Sequence, residues 1–173
     1  MTPEVRITLD PTSEGIARLE KLVDRATRKP DLLKNLGEAL LDTTRKRFDS
    51  QKDPKGTAWT PLRPLTIAIR GNDAPILTVS GNLKGSLNYE VVGDTLRIGP
   101  SAIYGPVHQF GATIKAKHGV LTIPLGKAKN TGKFGDTLQV RSVTIPARPF
   151  VGYGPEDERA ATETAQDWFD LDP

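Results

Sequence analysis

The stretch SLNYEVVGDTLRI, residues 86–98, alternates apolar and polar side chains on both sides of Gly93-Asp94. Alternation with a period of two is typical of β-strands that turn one face toward a core. Gly-Asp between two such runs favours a tight hairpin turn. The stretch therefore predicts two antiparallel strands, residues 86–92 and residues 95–98.

Four more runs carry the strand pattern of alternating side chains with many β-branched residues. They are residues 5–9, 113–116, 120–123 and 138–145. Lys117-His118-Gly119 separates the middle two, which makes them a second hairpin candidate. Pro146 ends the last run, because proline cannot donate to a strand ladder.

Helical spacing of apolar residues predicts three main helices. The first follows a cap at Thr12 or Ser13 and reaches the basic stretch 25–29. The second covers residues 31–50, and the third begins at Gly154-Pro155 with acidic residues in its first turn.

Two short helices are predicted between the strands. Ser80 is a candidate cap for residues 81–84, and residues 103–110 form a helix that Gly111 ends. A different expectation concerns Gly37, which weakens the second main helix by about 1 kcal/mol. We therefore expect a close helix–helix or helix–sheet contact at Gly37.

This order of elements predicts an α+β fold, in which an antiparallel sheet of four to six strands packs with two N-terminal helices and a C-terminal helix. The length of 173 residues fits one domain, residues 1–173. Prolines and glycines interrupt residues 51–75, and lysines and glycines crowd residues 125–136. We expect both segments to be mobile loops, with Trp59 and Leu62 pinning the first one to the core.

The composition excludes several classes of protein. The chain has no cysteine, so neither disulfides nor thiolate metal sites can form. The first ten residues lack an apolar signal core, and no stretch approaches the roughly 18 apolar residues of a membrane span. We therefore expect neither a secreted nor a membrane-embedded protein, and a reducing cytosol as the place of synthesis.

Charge is unevenly distributed along the chain. Residues 156–172 carry seven acids and one base, a charge of −6, which leaves 23 bases and 14 acids, a charge of +9, elsewhere. A basic body beside an acidic C-terminal helix can steer partners together. The competing interpretation is a solvated surface with no binding role.

The two histidines, His108 and His118, are ten residues apart, which does not match a helical metal site. We expect the His108 ring to hydrogen-bond the backbone and fix a turn, and His118 to be solvated at a hairpin tip. The chain has no G-x-S-x-G elbow and no phosphate-binding loop motif. A Ser-His-Asp grouping assembled in space stays open, so a hydrolase that uses His108 is one alternative function.

Basic clusters at residues 45–47 and 52–55 suggest a second alternative, a nucleic-acid-binding module. Aromatic residues make up only 6% of the chain, and they do not form an interleaved stacking platform. Nucleic acid is therefore not expected to be the main ligand.

Three apolar segments with prolines beside or inside them stand in the predicted loops. They are WTPL at residues 59–62, ILTVSGNL at residues 76–83 and IPARPFVG at residues 145–152. Stiff apolar segments of this kind can fill a core or form fixed docking edges.

Together with other pieces in the same order, these segments resemble the phage virion morphogenesis family, which includes tail completion proteins of contractile-tailed phages and the Mu-like G protein. The other pieces are Arg47-Phe48 with Gln51, Asp53-Pro54 with Gly56, Ile98-Gly99, and Tyr104 with VHQFG at residues 107–111. The resemblance spans residues 47–152. Gly105-Pro106 departs from it, because an alanine-led helix is expected there, and we expect the helix to start about one turn later.

The resemblance also indicates which residues carry the family's motifs. They are Trp59, Pro61, Leu62, Ser80, Gly81, Leu83, Tyr104, His108, Gln109, Phe110, Gly111, Pro146, Ala147, Arg148, Pro149, Phe150 and Gly152. Separately, Lys127, Lys129 and Lys133 are candidates for a loop that becomes ordered on contact with a partner.

The resemblance implies a structural protein of the phage head–tail neck, acting in tail completion or head–tail joining, without catalytic residues, cofactor or metal. The implied partners are copies of the chain itself in a ring of roughly six subunits, the tail tube and the head connector. The implied location is the virion, after assembly in the bacterial host cytoplasm. The alternative stays a nucleic-acid-binding module of phage or prophage origin.

Overall fold

The structure is a computed structural model that describes residues 14–64, 66–67, 75–124 and 137–169. Its helices are α1 (Glu14–Thr27), α2 (Lys29–Ser50), α3 (Asn82–Gly85), α4 (Gly105–Phe110) and α5 (Pro155–Phe169). Its strands are β1 (Leu87–Val92), β2 (Thr95–Pro100), β3 (Ala112–Lys115), β4 (Leu121–Pro124), β5 (Thr137–Val140) and β6 (Ser142–Ile145). The predicted strand at residues 5–9 lies outside the described residues.

The predicted hairpin at residues 86–98 is confirmed. Strands β1 and β2 pair antiparallel, from Leu87 opposite Pro100 to Val92 opposite Thr95. Gly93 has a φ of 57°, a left-handed conformation that glycine adopts without strain. The turn residues therefore close the hairpin as the sequence indicates.

The second predicted hairpin is wrong, because β3 and β4 do not pair with each other. Strand β3 pairs with β6, and β4 pairs with β5, both antiparallel. A turn at Lys117-His118-Gly119 would place Ile114 opposite Thr122 and mix apolar with polar side chains on each face. The observed pairing places Ile114 opposite Val143 instead, which keeps one face apolar.

These four strands form a single long ribbon, here called the arm, with β3 and β4 on one side and β5 and β6 on the other. Between the two paired parts, residues 116–120 bulge out opposite Arg141 alone, and the Ala116 N–H donates to the Arg141 carbonyl at 3.0 Å. Residues 125–136 connect the far ends of the arm but lie outside the described part of the chain. Their predicted mobility, like that of residues 51–75, stays a prediction.

The α+β class is confirmed, with helices and antiparallel strands in one chain. The described strands form three two-stranded pairs, so each sheet holds fewer strands than the four to six expected of one sheet. The reason is that α2 and the loops, rather than further strands, cover the β1–β2 hairpin.

Gly37 lies where α2 crosses the hairpin, as its position in a helix interior predicted. A Cβ atom on Gly37 would lie 2.5 Å from Cδ2 and 2.8 Å from Cγ of Tyr89. The absence of a side chain therefore lets the tyrosine ring of β1 lie directly against the helix backbone.

The core is small and contains residues from five separate parts of the chain. Its buried apolar members are Leu41, Phe48, Trp59, Leu83, Leu87 and Phe150. The Phe48 ring lies 5.5 Å from the Trp59 ring, edge-on, and 5.3 Å from the Phe150 ring. Aromatic packing of this type therefore joins α2, the loop after it and the segment before α5.

Helix α1 lies beside this core without contributing to it. None of its residues is buried, and Leu19 and Val23 of its apolar stripe are 59% and 64% exposed. Its described contacts are with the end of α5, where Arg25 donates to the Trp168 carbonyl at 2.7 Å and the Trp168 indole donates to the Arg25 carbonyl at 3.2 Å. The apolar stripe that predicted α1 is therefore not a core face.

Two short helices begin later than predicted. Helix α3 begins at Asn82 after Gly81, whose φ of 69° makes it the residue that turns the chain into the helix, while the Ser80 hydroxyl accepts only a 3.4 Å hydrogen bond from the Asn82 N–H. Helix α4 begins at Gly105 rather than Ile103, because Pro106 fits the first turn of a helix. Gly111 ends α4 as predicted.

Across the described ranges, no helix combines the length and the apolar character that a bilayer crossing needs.

We predict that Gly37→Ala lowers the free energy of unfolding by about 1–3 kcal/mol, because the new methyl group overlaps the Tyr89 ring. The better helix propensity of alanine offsets only part of this loss. Gly85→Ala is the matched control, since a Cβ there meets nothing within 4 Å. Urea unfolding measures both variants, and equal stability of Gly37→Ala and the wild type would contradict the close contact.

Candidate functional site

A buried ion pair joins α2 to the start of α5. The Arg47 guanidinium contacts the Asp157 carboxylate, and both side chains are almost fully buried, with 4% and 2% of their surface exposed. The second Asp157 oxygen accepts from the Thr43 hydroxyl at 2.5 Å, and the Gly154 N–H donates to the paired oxygen at 2.8 Å. These bonds satisfy the carboxylate, which a buried charge requires.

Arg47 also holds the segment IPARPFVG, residues 145–152, here called the strap. Its Nη1 donates to the Phe150 carbonyl at 2.8 Å and to the Gly152 carbonyl at 3.2 Å. One arginine therefore fixes three elements: its own helix, the strap and, through Asp157, helix α5.

Gln109 of α4 binds the same strap from the other side. Its Oε1 accepts from the N–H groups of Phe150 and Val151, each at 3.0 Å, and its Nε2 donates to the Val151 carbonyl at 2.7 Å. The side chain thus replaces a neighbouring strand for this part of the backbone.

Arg148 and Trp59 connect the strap to the loop after α2. Arg148 donates from Nε to the Thr60 carbonyl at 2.8 Å and from Nη2 to the Pro61 carbonyl at 3.1 Å. The Trp59 indole donates to the Pro149 carbonyl at 2.8 Å. A proline residue has no N–H to donate, but its carbonyl still accepts hydrogen bonds. The carbonyls of Pro61 and Pro149 accept them here from side chains.

Gln51 ends α2 and fixes the second loop segment. Its backbone has a left-handed φ of 59°, an uncommon value for a residue other than glycine. Its side-chain amide donates to the Ile76 carbonyl at 3.2 Å and accepts from the Ile76 N–H at 2.5 Å. The motif segment at residues 76–83 is therefore attached to the helix end.

Close backbone packing explains two of the motif glycines. A Cβ on Gly111, whose φ is 73°, would lie 2.8 Å from the backbone N of Ala147. A Cβ on Gly152 would lie 2.7 Å from Cγ of Pro54. Both glycines let the strap approach its neighbours more closely than any other residue would allow.

His108 does not play the predicted part. Its Nδ1 atom is buried and has no hydrogen-bond partner among the described residues, so the ring does not bond the backbone through this atom. Instead its main-chain carbonyl accepts from the Arg148 N–H at 2.8 Å, and its ring lies edge-on to Tyr104 at 5.9 Å. Burial first, and the positive charge of Arg148 second, lower the pKa of His108 below its ordinary value of 6.5.

The His108 ring lines a cavity of about 500 Å³ between the arm, the strap and the loop after α2. Its walls are mainly apolar, with Leu62, Leu77 and Val143 among them, and no carboxylate is among its lining residues. Acid–base catalysis of the Ser-His-Asp type needs a hydroxyl and a carboxylate on the imidazole. Neither is bonded to the His108 ring in the described part of the chain, so this geometry does not favour a hydrolase.

The structure changes the meaning of the predicted basic cluster at residues 45–47. Arg47 is buried in the ion pair and is not available to phosphates, and Lys46 is paired with Asp42 at 2.7 Å. Asp157 is likewise removed from the acidic surface of α5. Within the described ranges no group of three or more acids and histidines is placed to hold a metal ion.

The motif residues thus divide into an internal set and an exposed set. The internal set holds the core and the strap and comprises Trp59, Leu83, Gln109, Gly111, Arg148, Pro149, Phe150 and Gly152, with Pro61 contributing a carbonyl. Leu62, Pro146 and His108 line the cavity, while Ala147 approaches Gly111, and Ser80 and Gly81 precede α3. Lys127, Lys129 and Lys133 lie outside the described residues.

Two of the exposed motif residues are large and apolar. Phe110, at the end of α4, is 78% exposed, and Tyr104, just before it, is 40% exposed. Ile103 beside them is 95% exposed. We call these three exposed side chains, two just before α4 and one at its end, the α4 patch.

Sequence reasoning missed Arg47, Asp157 and Thr43 as a unit. Arg47 was counted as a surface base and Asp157 as a surface acid. The spacing in the sequence could have indicated that Arg47 is buried. One side of α2 carries, at helical intervals, Leu36, Leu40, Thr43 and Arg47. A charged residue that continues an apolar stripe is a candidate for a buried pair.

A comparison with models of protein families finds a match over almost the whole chain. The model of the phage virion morphogenesis family matches residues 13–170, which include every element described above. The chain belongs to the phage virion morphogenesis family. This family is a structural and morphogenetic one rather than a typically enzymatic one.

Two curated relatives are similar over most of their length. The "Mu-like prophage FluMu G protein 2" of Haemophilus influenzae is 26% identical over 167 residues, 96% of this chain and 97% of the relative. The "Putative capsid assembly protein G" of Escherichia phage Mu is 26% identical over 145 residues, 79% of each chain. No solved structure matches the chain.

We predict that Asp157→Ala lowers the free energy of unfolding by about 3–5 kcal/mol, because it leaves the Arg47 charge buried without its partner. Glu158→Ala is the matched control on the exposed side of the same helical turn and should change stability by less than about 0.5 kcal/mol. Chemical denaturation measures both. A loss for Asp157→Ala as small as that of the control would show that the pair does not hold α5.

A second prediction concerns pH. The unfolded chain binds a proton at His108 near pH 6.5, whereas the folded chain does so only at lower pH. The contribution of His108 to stability is therefore fully present above this value and is lost as the pH falls toward the lowered pKa. The wild type should have a higher urea midpoint than His108→Gln above pH 6.5. This difference should shrink as the pH falls from 6.5 toward the lowered pKa of His108.

His118→Gln is the control for that experiment, since His118 is exposed on the arm. It should keep the pH dependence of the wild type. A pH profile of His108→Gln that runs parallel to the wild type would contradict the assignment of the lowered pKa.

Proposed function

We propose that this protein acts at the phage head–tail neck, in tail completion or head–tail joining, by binding copies of itself and the neighbouring neck and tail proteins. Membership of a virion morphogenesis family supports an assembly role. The relative from Escherichia phage Mu bears a name that speaks of capsid assembly, which is also an assembly role. Tail completion and head–tail joining both require a protein that fits between larger assemblies.

The observation that carries the proposal is the α4 patch. Ile103, Tyr104 and Phe110 are exposed, yet α4 beneath them is fixed to the strap by the three hydrogen bonds of Gln109. Large apolar side chains on a rigid base are the usual centre of a protein–protein interface. A surface that needs no ordering on binding loses little conformational entropy in the complex.

Self-assembly into a ring of roughly six subunits is part of the proposal and rests on analogy with other neck proteins. A ring needs a heterologous interface, in which one face of a subunit meets a different face of the next. The tail tube and the head connector are the proposed partners above and below the ring, and the virion neck is the proposed location.

We predict that Phe110→Ser, or Ile103→Ser, abolishes assembly without unfolding the protein, because these side chains are 78% and 95% exposed. In the parent phage, electron microscopy of particles made with either variant should show unjoined heads and tails or tails of uncontrolled length. The first result would indicate joining and the second would indicate completion.

Val92→Ser is the matched control, an exposed apolar residue at the hairpin turn away from the α4 patch, 47% exposed. It should yield normal particles. Circular dichroism and urea midpoints establish that all three variants fold. Normal particles with Phe110→Ser would contradict the part assigned to the α4 patch.

A further inference from the structure

The arm has two chemically different faces. Opposed residues of an antiparallel pair share a face, so Ala112 with Ile145 and Ile114 with Val143 lie on one side, and Leu121 with Val140 and Ile123 with Leu138 continue the apolar pattern. The alternate pairs, such as Thr113 with Thr144, are polar, and these two hydroxyls hydrogen-bond at 3.2 Å. None of the described apolar residues of the arm is fully buried.

A two-stranded ribbon is marginally stable by itself, so an apolar face that is not buried calls for a cover. Part of this face lines the cavity that His108 also lines. The cavity lies between this face and the side chains of Leu62 and Leu77. Near the bulge, Ile114 and Val120 are each 43% exposed to solvent. The middle of the arm therefore offers apolar surface to a partner.

The charges at the bulge are all positive. Lys115 borders the bulge, Lys117 lies in it and Arg141 lies opposite it; all three are exposed, and none forms an ion pair within the described residues. No acid occurs in residues 112–124 or 137–145. We call Ile114, Lys115, Lys117, Val120 and Arg141 the basic bend.

These charges decide against one arrangement and favour another. Two arms packed face to face would bring the basic bends of two copies together, which like-charge repulsion opposes. The described part of α5, in contrast, has four exposed acids and one base, since Asp157 is neutralised inside. Glu156, Glu163 and Asp167 lie seven and four residues apart and so share one side of the helix.

We propose that the basic bend of one copy binds this acidic side of α5 on the next copy. The two surfaces belong to different elements of one chain, so the contact is heterologous and can repeat around a ring. Val120, which is exposed in the same bulge, adds apolar area to the contact. This inference rests on the proposed self-assembly and names the surfaces that perform it.

The bend fits a protein better than a nucleic acid. The described arm has no Phe, Tyr or Trp side chain on which a base could stack. The acidic counterpart is present in the same chain at equal stoichiometry.

Charge reversal tests the proposal. One variant carries Lys115→Glu, Lys117→Glu and Arg141→Glu, and the other carries Glu156→Lys, Glu163→Lys and Asp167→Lys. All six positions are exposed, so both variants should fold. We expect each alone to lose self-association at least tenfold in light scattering, and an equimolar mixture to regain it, because each then meets opposite charge on its neighbour.

The salt dependence of association provides an independent test. Raising the salt concentration to about 1 M shortens the screening length to about 3 Å and should weaken association of the wild type. Lys29→Glu with Asp94→Lys, which reverses an exposed pair that includes none of these six residues, is the matched control and should associate like the wild type.

The outcomes separate the two proposals. A wild type that stays monomeric with purified neck partners present would contradict self-assembly itself. A wild type that associates while both reversed variants associate equally well, or a mixture that fails to regain association, would overturn the assignment of the bend to α5. Loss of binding to labelled duplex DNA on bend reversal, with assembly intact, would identify the bend as a nucleic-acid contact instead.

Discussion

The buried pair of Arg47 and Asp157 is the interaction on which the arrangement of the other elements depends. Removing two charges from water is costly, and the chain offsets that cost with hydrogen bonds to every nearby polar group, from Thr43 and Gly154 to the strap carbonyls. Because the partners are a helix, a loop and a second helix, the pair fixes positions that a small apolar core would leave free. The described residues include only six buried apolar side chains, and so small a core needs such help.

The division of the motif residues follows from that constraint. Gln109 and Trp59 each bond the strap backbone, so this backbone has side chains as its neighbours, and Arg148 of the strap in turn bonds the carbonyls of the loop after α2. The same bonds hold α4 still and leave Phe110 outside. An assembly protein needs exposed apolar groups that a rigid interior holds in place. It needs no cleft with acid–base chemistry.

Local features were predictable from the sequence, and features that depend on distant residues were not. The hairpin at residues 86–98, the C-terminal ends of α2 and α4 and the tight contact at Gly37 follow from spacing and turn chemistry. The arm was not predictable, because the partners of β3 and β4 lie beyond a loop and only the matching of apolar faces selects them. Arg47 and Asp157 were assigned to opposite surfaces, since a sequence does not show which charges meet inside. The α4 patch was visible only as part of a motif, because exposure is a property of the folded chain.

The ion pair also has a consequence for timing. Arg47 and Asp157 are 110 residues apart, so α2 leaves the ribosome long before its partner is synthesised. Until then the strap lacks part of its support, and α4 is not yet held in the geometry that its exposed side chains require. Contacts between distant residues form late in folding, after the loop between them has closed. Under the proposed function, a nascent chain would therefore gain competence to assemble only after Asp157 has been synthesised.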